Sequence, residues 1–241
     1  MFDMALYALT CFIGAMLQSL CGFGSGILAM SVLPHFYHSY TLSLVLSTFL
    51  SFAICISIVM KEYKYVNIRM LIPIIIGNIL ATTSIMYFWD GSANYTMKKI
   101  LGGFLILLSL YFIFFNRDIK IKPAFKTGLL SGLLGGTGNS FFSMGGPPVV
   151  AYLIITSRDN KEYIASLQAY FSFSATYVTI SRYMRGMVTE DVWPIFFAGL
   201  PFIFIGIWIG RKLFGMLDEK KLKLVVYTLM ALSGAVMILT N

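Results

Sequence analysis

Apolar residues along the chain fall into eight long stretches, about 4–34, 41–60, 70–89, 100–115, 127–156, 164–181, 192–209 and 222–239. Six have about the length of one bilayer crossing, which takes roughly 20 residues of helix. The first and fifth run to about 30 residues, and a glycine-rich break interrupts each near its middle: Cys21-Gly22-Phe23-Gly24-Ser25-Gly26 in one, Gly135-Gly136-Thr137-Gly138-Asn139-Ser140 in the other. The longest polar connection runs only from Asn116 to Lys126, which leaves no room for a soluble domain. The pattern predicts an all-α integral membrane protein. Composition agrees: hydrophobic residues make up 58% of the 241 and charged residues 12%, where a soluble chain carries roughly 25% charge.

The breaks belong to a repeat. At an offset of 114, Gly22 matches Gly136, Gly24 matches Gly138, Met30 matches Met144 and Pro34 matches Pro148. Further on, at an offset of 121, Ser51-Phe52 matches Ser172-Phe173, Lys61 matches Arg182, Lys64 matches Arg185 and Pro73 matches Pro194. The chain therefore reads as two repeats, 1–116 and 122–241, joined by a loop at 117–121. Each holds a broken segment followed by three ordinary ones.

Charge chooses between two threadings. If each broken segment crosses the membrane, there are eight crossings, and nine of the eighteen Lys and Arg fall on one side. If each folds back as a re-entrant hairpin, the halves are inverted and the split becomes 14 to 4, with only Lys98, Lys99, Arg182 and Arg185 on the minority side. Basic loops favour the cytoplasm. The hairpin threading is expected, in a cell membrane, with both termini on the non-cytoplasmic side. Met1 to Leu20 holds no Lys or Arg and so lacks the basic start of a signal peptide.

Irregular backbone at membrane depth requires surrounding protein or a wet cavity, so the hairpin tips are expected to face each other inside the bundle. Glycine-broken segments at matching points of two halves point to a transporter's binding site. With return arms starting near Ser25-Gly26 and Asn139-Ser140, helix N-termini would offer N–H groups and the positive dipole end to an anion. No Asp, Glu, Lys or Arg stands in the middle of an apolar stretch. A cation path or proton relay would usually show a carboxylate there. The candidate substrate-binding residues are Gly22, Gly24, Ser25, Gly26, Gly136, Thr137, Gly138, Asn139 and Ser140 at the tips, with Ser47, Thr48 and Gln168 from the segments that follow. Gln18 and Ser19 have similar standing, and Tyr170 reads as packing. Close helix packing by small residues is the alternative for the glycines, and an interhelical hydrogen bond is the alternative for Gln168.

No catalytic cluster, nucleotide loop or metal motif is present, so no enzyme and no cofactor are expected. Cys11, Cys21 and Cys55 read as small core residues, and His35 and His38 as surface residues. The partners expected are a small anion and the lipid bilayer. Nucleic acid is not needed to explain the net charge of +8, and further copies of the chain stay open as an alternative. The paired breaks, the second extended as Ser131-Gly132-Leu133-Leu134-Gly135-Gly136-Thr137-Gly138 and followed by Met144-Gly145-Gly146-Pro147-Pro148, resemble the TauE/SafE sulfite-exporter-like membrane transporters over essentially the whole chain. Phe23, Ser25 and Asn139 depart from a more glycine-rich pattern. The resemblance implies secondary transport of small sulfur-containing anions, such as sulfite or sulfoacetate, by alternating access. The alternatives are an anion channel, or a membrane scaffold or sensor that transports nothing.

Overall fold

The computed structural model describes residues 2–37, 39–89, 94–114, 124–213 and 219–239. His38 and the loop at 117–121 lie outside the described residues. Ten α-helices account for nearly all of what is described: α1 Phe2–Cys21, α2 Ser25–Phe36, α3 Tyr40–Glu62, α4 Ile68–Phe88, α5 Asn94–Phe114, α6 Phe125–Phe142, α7 Gly146–Thr156, α8 Asn160–Met184, α9 Val192–Leu213 and α10 Glu219–Leu239. A single 3-10 turn, Tyr63–Tyr65, links α3 to α4. Among the described residues, four segments are long and apolar enough to cross a bilayer: Met4–Cys21, Tyr40–Tyr65, Ile68–Phe88 and Val192–Leu213. The protein is all-helical and built for a membrane.

Both broken stretches are two helices joined by three residues. The first breaks at Gly22–Gly24, as the sequence suggests. The second does not break at its glycines. α6 runs unbroken through Gly135, Gly136, Gly138 and Asn139 to Phe142, and the turn is Ser143–Gly145. The turns therefore correspond at an offset of 121, not 114. Cys21 and Phe142 end the first arms, Ser25 and Gly146 begin the second, and Gly22 (φ 79°) stands where Ser143 (φ 54°) stands. The expectation that a return arm starts at Asn139-Ser140 is corrected accordingly. The α6 glycines serve packing instead. A Cβ on Gly132 would meet Ile74, and one on Gly136 would stand 2.9 Å from the Cα of Asn78, so α4 and α6 lie backbone against backbone.

The chain forms two compact units, each drawing on both halves of the repeat: residues 1–47, 91–119 and 190–241 in the first, 48–90 and 120–189 in the second. In the first unit α1 runs parallel to α9. Gly199 abuts Tyr7 and Cys11, Gly206 abuts Phe12 and Ala15, and Gly210 abuts Met16 and Ser19. α5 and α10 run antiparallel, joined by close contact of Gly102 with Gly234 and by Ser109 Oγ donating to the Tyr227 carbonyl at 2.7 Å.

In the second unit α4, α6 and α8 are all parallel. Ile74 meets Gly132 and Asn78 meets Gly136. Along α8, the Asn67 N–H donates to Ser166 Oγ (3.0 Å), Ser174 donates to Asn78 (2.8 Å), and Thr83 pairs with Tyr177 (2.7 Å). α7 folds back along α6: Ser131 Oγ donates to the Pro148 carbonyl at 2.6 Å, Gly135 packs on Val149 and Gly128 on Tyr152. Leu71, Ile74, Val149, Leu153 and Leu167 form the buried apolar core of this unit.

Candidate functional site

In the first unit the tip is a turn of three residues. Gly22 and Gly24 both have positive φ, 79° and 117°, which L side chains rarely tolerate. Gly24 caps α2 without a side chain, and a Cβ placed there would meet nothing within 4 Å. The first-turn N–H groups of a helix have no acceptor inside it, and those of α2 lie next to this open glycine. Ser25 is the first residue of α2, not its cap. It is buried, and its hydroxyl donates to Gln18 Oε1, tying the two arms together across the turn. Gly26 is buried behind it. Ser47, on α3, is fully buried and its hydroxyl has no hydrogen-bond partner among the described residues.

In the second unit the tip is built around an arginine. Arg182, in the last turn of α8, is completely buried. One guanidinium nitrogen donates to Thr48 Oγ1, and the other to the carbonyls of Asn139 (3.2 Å) and Ser140 (2.9 Å). Those carbonyls belong to the last turn of α6, where a helix has unpaired acceptors and the negative end of its dipole. A cation there satisfies both. Thr48 also shares a 2.8 Å hydrogen bond with the hydroxyl of Ser143, the one non-glycine residue with positive φ among those described. The amide N–H groups of Ser143 and Met144 close the turn onto the carbonyls of Asn139 (3.0 Å) and Gly138 (3.1 Å).

A polar chain continues from this turn into the helices. Asn139 Nδ2 donates to Ser174 Oγ (2.7 Å), Ser174 donates to Asn78 Oδ1 (2.8 Å), and Tyr170 donates to the same oxygen (3.1 Å). Ser140 Oγ donates to Thr82 Oγ1 at 3.0 Å. Apart from the half-buried Asn139, these residues are buried among apolar helices, where an unmet polar group costs about 1–3 kcal/mol. The network therefore holds α4, α6 and α8 in a single register.

Of the residues expected from sequence in this unit, Thr48, Gly138, Asn139 and Ser140 come together at the turn. Gly136 lies against α4, and Thr137 is exposed with its hydroxyl turned back to the Leu133 carbonyl. Gln168 is fully buried on α8, but fourteen residues from Arg182, or about 21 Å along the helix. Sequence reasoning missed Arg182, Ser143, Asn78, Thr82 and Ser174. Asn78 was the most legible of these, a lone amide in Ile74-Ile75-Ile76-Gly77-Asn78-Ile79-Leu80. Arg182 was hidden because it sits at a segment end, as a flanking charge would.

The two tips offer different chemistry. α2 begins with Ser25, Gly26 and Ile27, all carrying an N–H. α7 begins Gly146-Pro147-Pro148, and proline has no N–H to offer. The second return arm therefore exposes fewer amide donors, while its unit supplies a fixed positive charge at the end of the first arm. Among the described residues no group of His, Cys, Asp or Glu could hold a metal ion.

No curated protein and no solved structure matches the chain. The family model of the sulfite exporter TauE/SafE does match, over residues 7–237, nearly the whole length. With that span, two broken helical stretches and an all-helical membrane fold, the chain belongs to the TauE/SafE sulfite exporter family of membrane transporters.

Proposed function

We propose that the protein is a secondary transporter of small sulfur-containing anions, sulfite or organosulfonates such as sulfoacetate. In this reading the substrate engages the turn of the second unit, Ser143–Gly146. The observation that carries it is the buried tip of the second unit. There a fully buried guanidinium and the hydroxyls of Thr48 and Ser143 converge on a broken helix, and a positive charge beside two hydroxyls favours an anion. In the first unit, taken by itself, the turn holds a glycine with open space around it.

The parallel course of α4 and α8 supports the re-entrant threading. Eight crossings would make these helices antiparallel, whereas two hairpins make them parallel. The charges agree. Lys61, Lys64, Arg69, Lys126, Arg158 and Lys161 belong to the end of the second unit where α4, α6 and α8 begin, and Arg185 to the opposite end. Basic loops mark the cytoplasmic side, which orients that end inward in a cell membrane. At 11 residues, α7 spans about 16 Å, half a bilayer.

The test is flux in liposomes with labelled sulfite, sulfoacetate, thiosulfate and sulfate at fixed pH. Saturable uptake of one or more sulfur oxyanions is expected, abolished by substitution at that turn. Flux far above transporter turnover, without saturation, would make it a channel. No flux of any of the four, from protein shown to be folded, would refute the reading.

A further inference from the structure

At the end of the second unit where α4 and α8 begin lies a surface cavity of about 580 Å³, lined by Lys64, Arg69 and Arg158 together with Tyr65, Asn67 and Ile68. Two acids, Asp159 and Glu162, also line it, and both are engaged by the backbone. Asp159 Oδ1 accepts the Glu162 N–H at 2.8 Å. Glu162 accepts from the Asn67 side chain at 2.7 Å and from the Arg158 N–H at 2.6 Å. Their oxygens serve as helix caps and a tie between α4 and α8. Among the described residues Lys64, Arg69 and Arg158 donate no side-chain hydrogen bond to an acid, although the charge of Arg158 favours ionised Glu162.

An apolar track starts at this cavity. Ile68 lines it and is 68% exposed. Ile72, Ile76 and Leu80 follow at intervals of four residues on α4, all exposed, while Leu71, Ile74, Gly77 and Asn78 face inward and are buried. From Ile68 to Leu80 the track covers about 18 Å, a little more than the roughly 15 Å of hydrocarbon in one leaflet. Exposed Tyr63 and Tyr65 stand beside it at the level where aromatic side chains anchor a membrane protein in the interface. The Lys161 ammonium sits over the Tyr65 ring at 5.3 Å, adding a fourth cation next to the cavity.

We propose that this is a binding site for an anionic phospholipid, its phosphate held by Arg69, Arg158 and Lys64 and one acyl chain laid along Ile68, Ile72, Ile76 and Leu80. A free phosphate would use the cations alone. The continuity of the cation cluster with a leaflet-long apolar track favours the lipid. Basic pockets between membrane helices on the cytoplasmic side commonly take such headgroups, and that placement rests on the orientation proposed above. The headgroup end of the site lies at the start of α4, remote from Asn78 and Thr82, so an occupied site would brace the α4–α8 pair that carries the polar network.

The test is native mass spectrometry of the full chain in detergent with equimolar phosphatidylglycerol and phosphatidylcholine, and it is independent of any transport measurement. Preferential retention of phosphatidylglycerol is expected. Each cation near a membrane surface contributes about a fivefold preference for anionic lipid, so Arg69→Gln with Arg158→Gln should lower retention more than tenfold. Ile72→Ser with Ile76→Ser should lower it while leaving the cations intact. Arg211→Gln with Lys212→Gln, a basic pair in the other unit, should leave it unchanged. Equal retention in the Arg69/Arg158 variant and the wild type would overturn the proposal, as would an equal loss in the Arg211/Lys212 control. Displacement of the lipid by millimolar inorganic phosphate alone would overturn the assignment to a lipid.

Discussion

Replacing Arg182 separates what its charge does from what its bulk does. The guanidinium makes three hydrogen bonds to uncharged oxygens, those of Thr48, Asn139 and Ser140. Hydrogen bonds from a charged group contribute about 1.5–3 kcal/mol each, so three give a gross gain of roughly 5–9 kcal/mol. Against that stands the cost of holding a fully buried cation, several kcal/mol in folded proteins. The two nearly offset each other. In Arg182→Met, moreover, the Asn139 carbonyl keeps the Ser143 N–H and Thr48 keeps the Ser143 hydroxyl, leaving chiefly the Ser140 carbonyl short of a donor. That one group costs about 1–3 kcal/mol. Arg182→Met should therefore fold and insert, with stability lowered by no more than about 3 kcal/mol, yet lose most of its anion flux. Arg182→Lys keeps the charge but not the fork that reaches two carbonyls and a hydroxyl at once, and should retain weak flux with a raised KM. The assay is liposome uptake at several substrate concentrations, with thermal unfolding in detergent beside it. Normal uptake by Arg182→Met would refute the reasoning, because the buried charge would then have no part in the site. Collapse of Arg182→Met in detergent would refute the energetic half, showing the arginine to be a structural rivet.

Three further outcomes follow from the same geometry. In Gly132→Ala the new methyl would stand 2.7 Å from the carbonyl carbon and 2.8 Å from the Cα of Ile74, where ordinary contact begins near 3.4 Å; overpacking of this kind costs about 1–3 kcal/mol, seen as a lowered unfolding temperature, whereas Gly103→Ala, open within 4 Å, should be silent. Cysteines placed at Lys161 and Arg185, in a variant whose own three cysteines are Ser, should label from opposite faces of the membrane, with position 185 reached from outside intact cells; labelling of both from one face would contradict a crossing by α8. The Arg158 N–H and then the Asn67 amide hold the Glu162 carboxyl, which lies ahead of the apolar part of α8, below its ordinary value. A depressed carboxyl stabilises the fold above its unfolded pKa, and the gain is lost as pH falls through the lower folded value, so Glu162→Gln should flatten the acid limb of a stability-versus-pH curve measured in detergent.

The class of the fold was legible because bilayer burial imposes long apolar runs with few charges, a signal no local detail can mask. The repeat read from the sequence did not reveal the register of the two turns. Gly22 and Gly136 match in sequence yet differ in duty, one at a turn with positive φ and the other inside a helix against Asn78. Glycine answers both needs, a left-handed backbone and a close helix approach, so identity alone could not say which was in force. The true counterpart of Gly22 is Ser143, which has a side chain and so hid the correspondence. Arg182 was unreadable for a related reason. A charge at a helix end is ordinarily solvated, and only the arrival of the α6 carbonyls from another part of the chain makes a buried partner for it.

On the proposed reading, that pairing accounts for the different chemistry of the second tip. The first tip begins its return arm with Ser25, Gly26 and Ile27, each with an N–H, and carries glycine at both positive-φ positions. The second has proline at two of the first three positions of α7 and gives up those amides. A turn so deprived would attract anions weakly if α6 also directed its unpaired carbonyls there. Arg182 covers those carbonyls and contributes a charge that backbone dipoles at one helix end approach only as a fraction, about half an elementary charge. On the proposed reading, the missing amides and the arginine bear on the same substrate. Restoring N–H groups at Pro147 and Pro148 should relieve part of the dependence on Arg182, and the place to see it is in Arg182→Met. Pro147→Ala with Pro148→Ala should recover anion uptake in that background if both features act on the same substrate. The same pair should do nothing for it if α7 and the guanidinium serve separate ends.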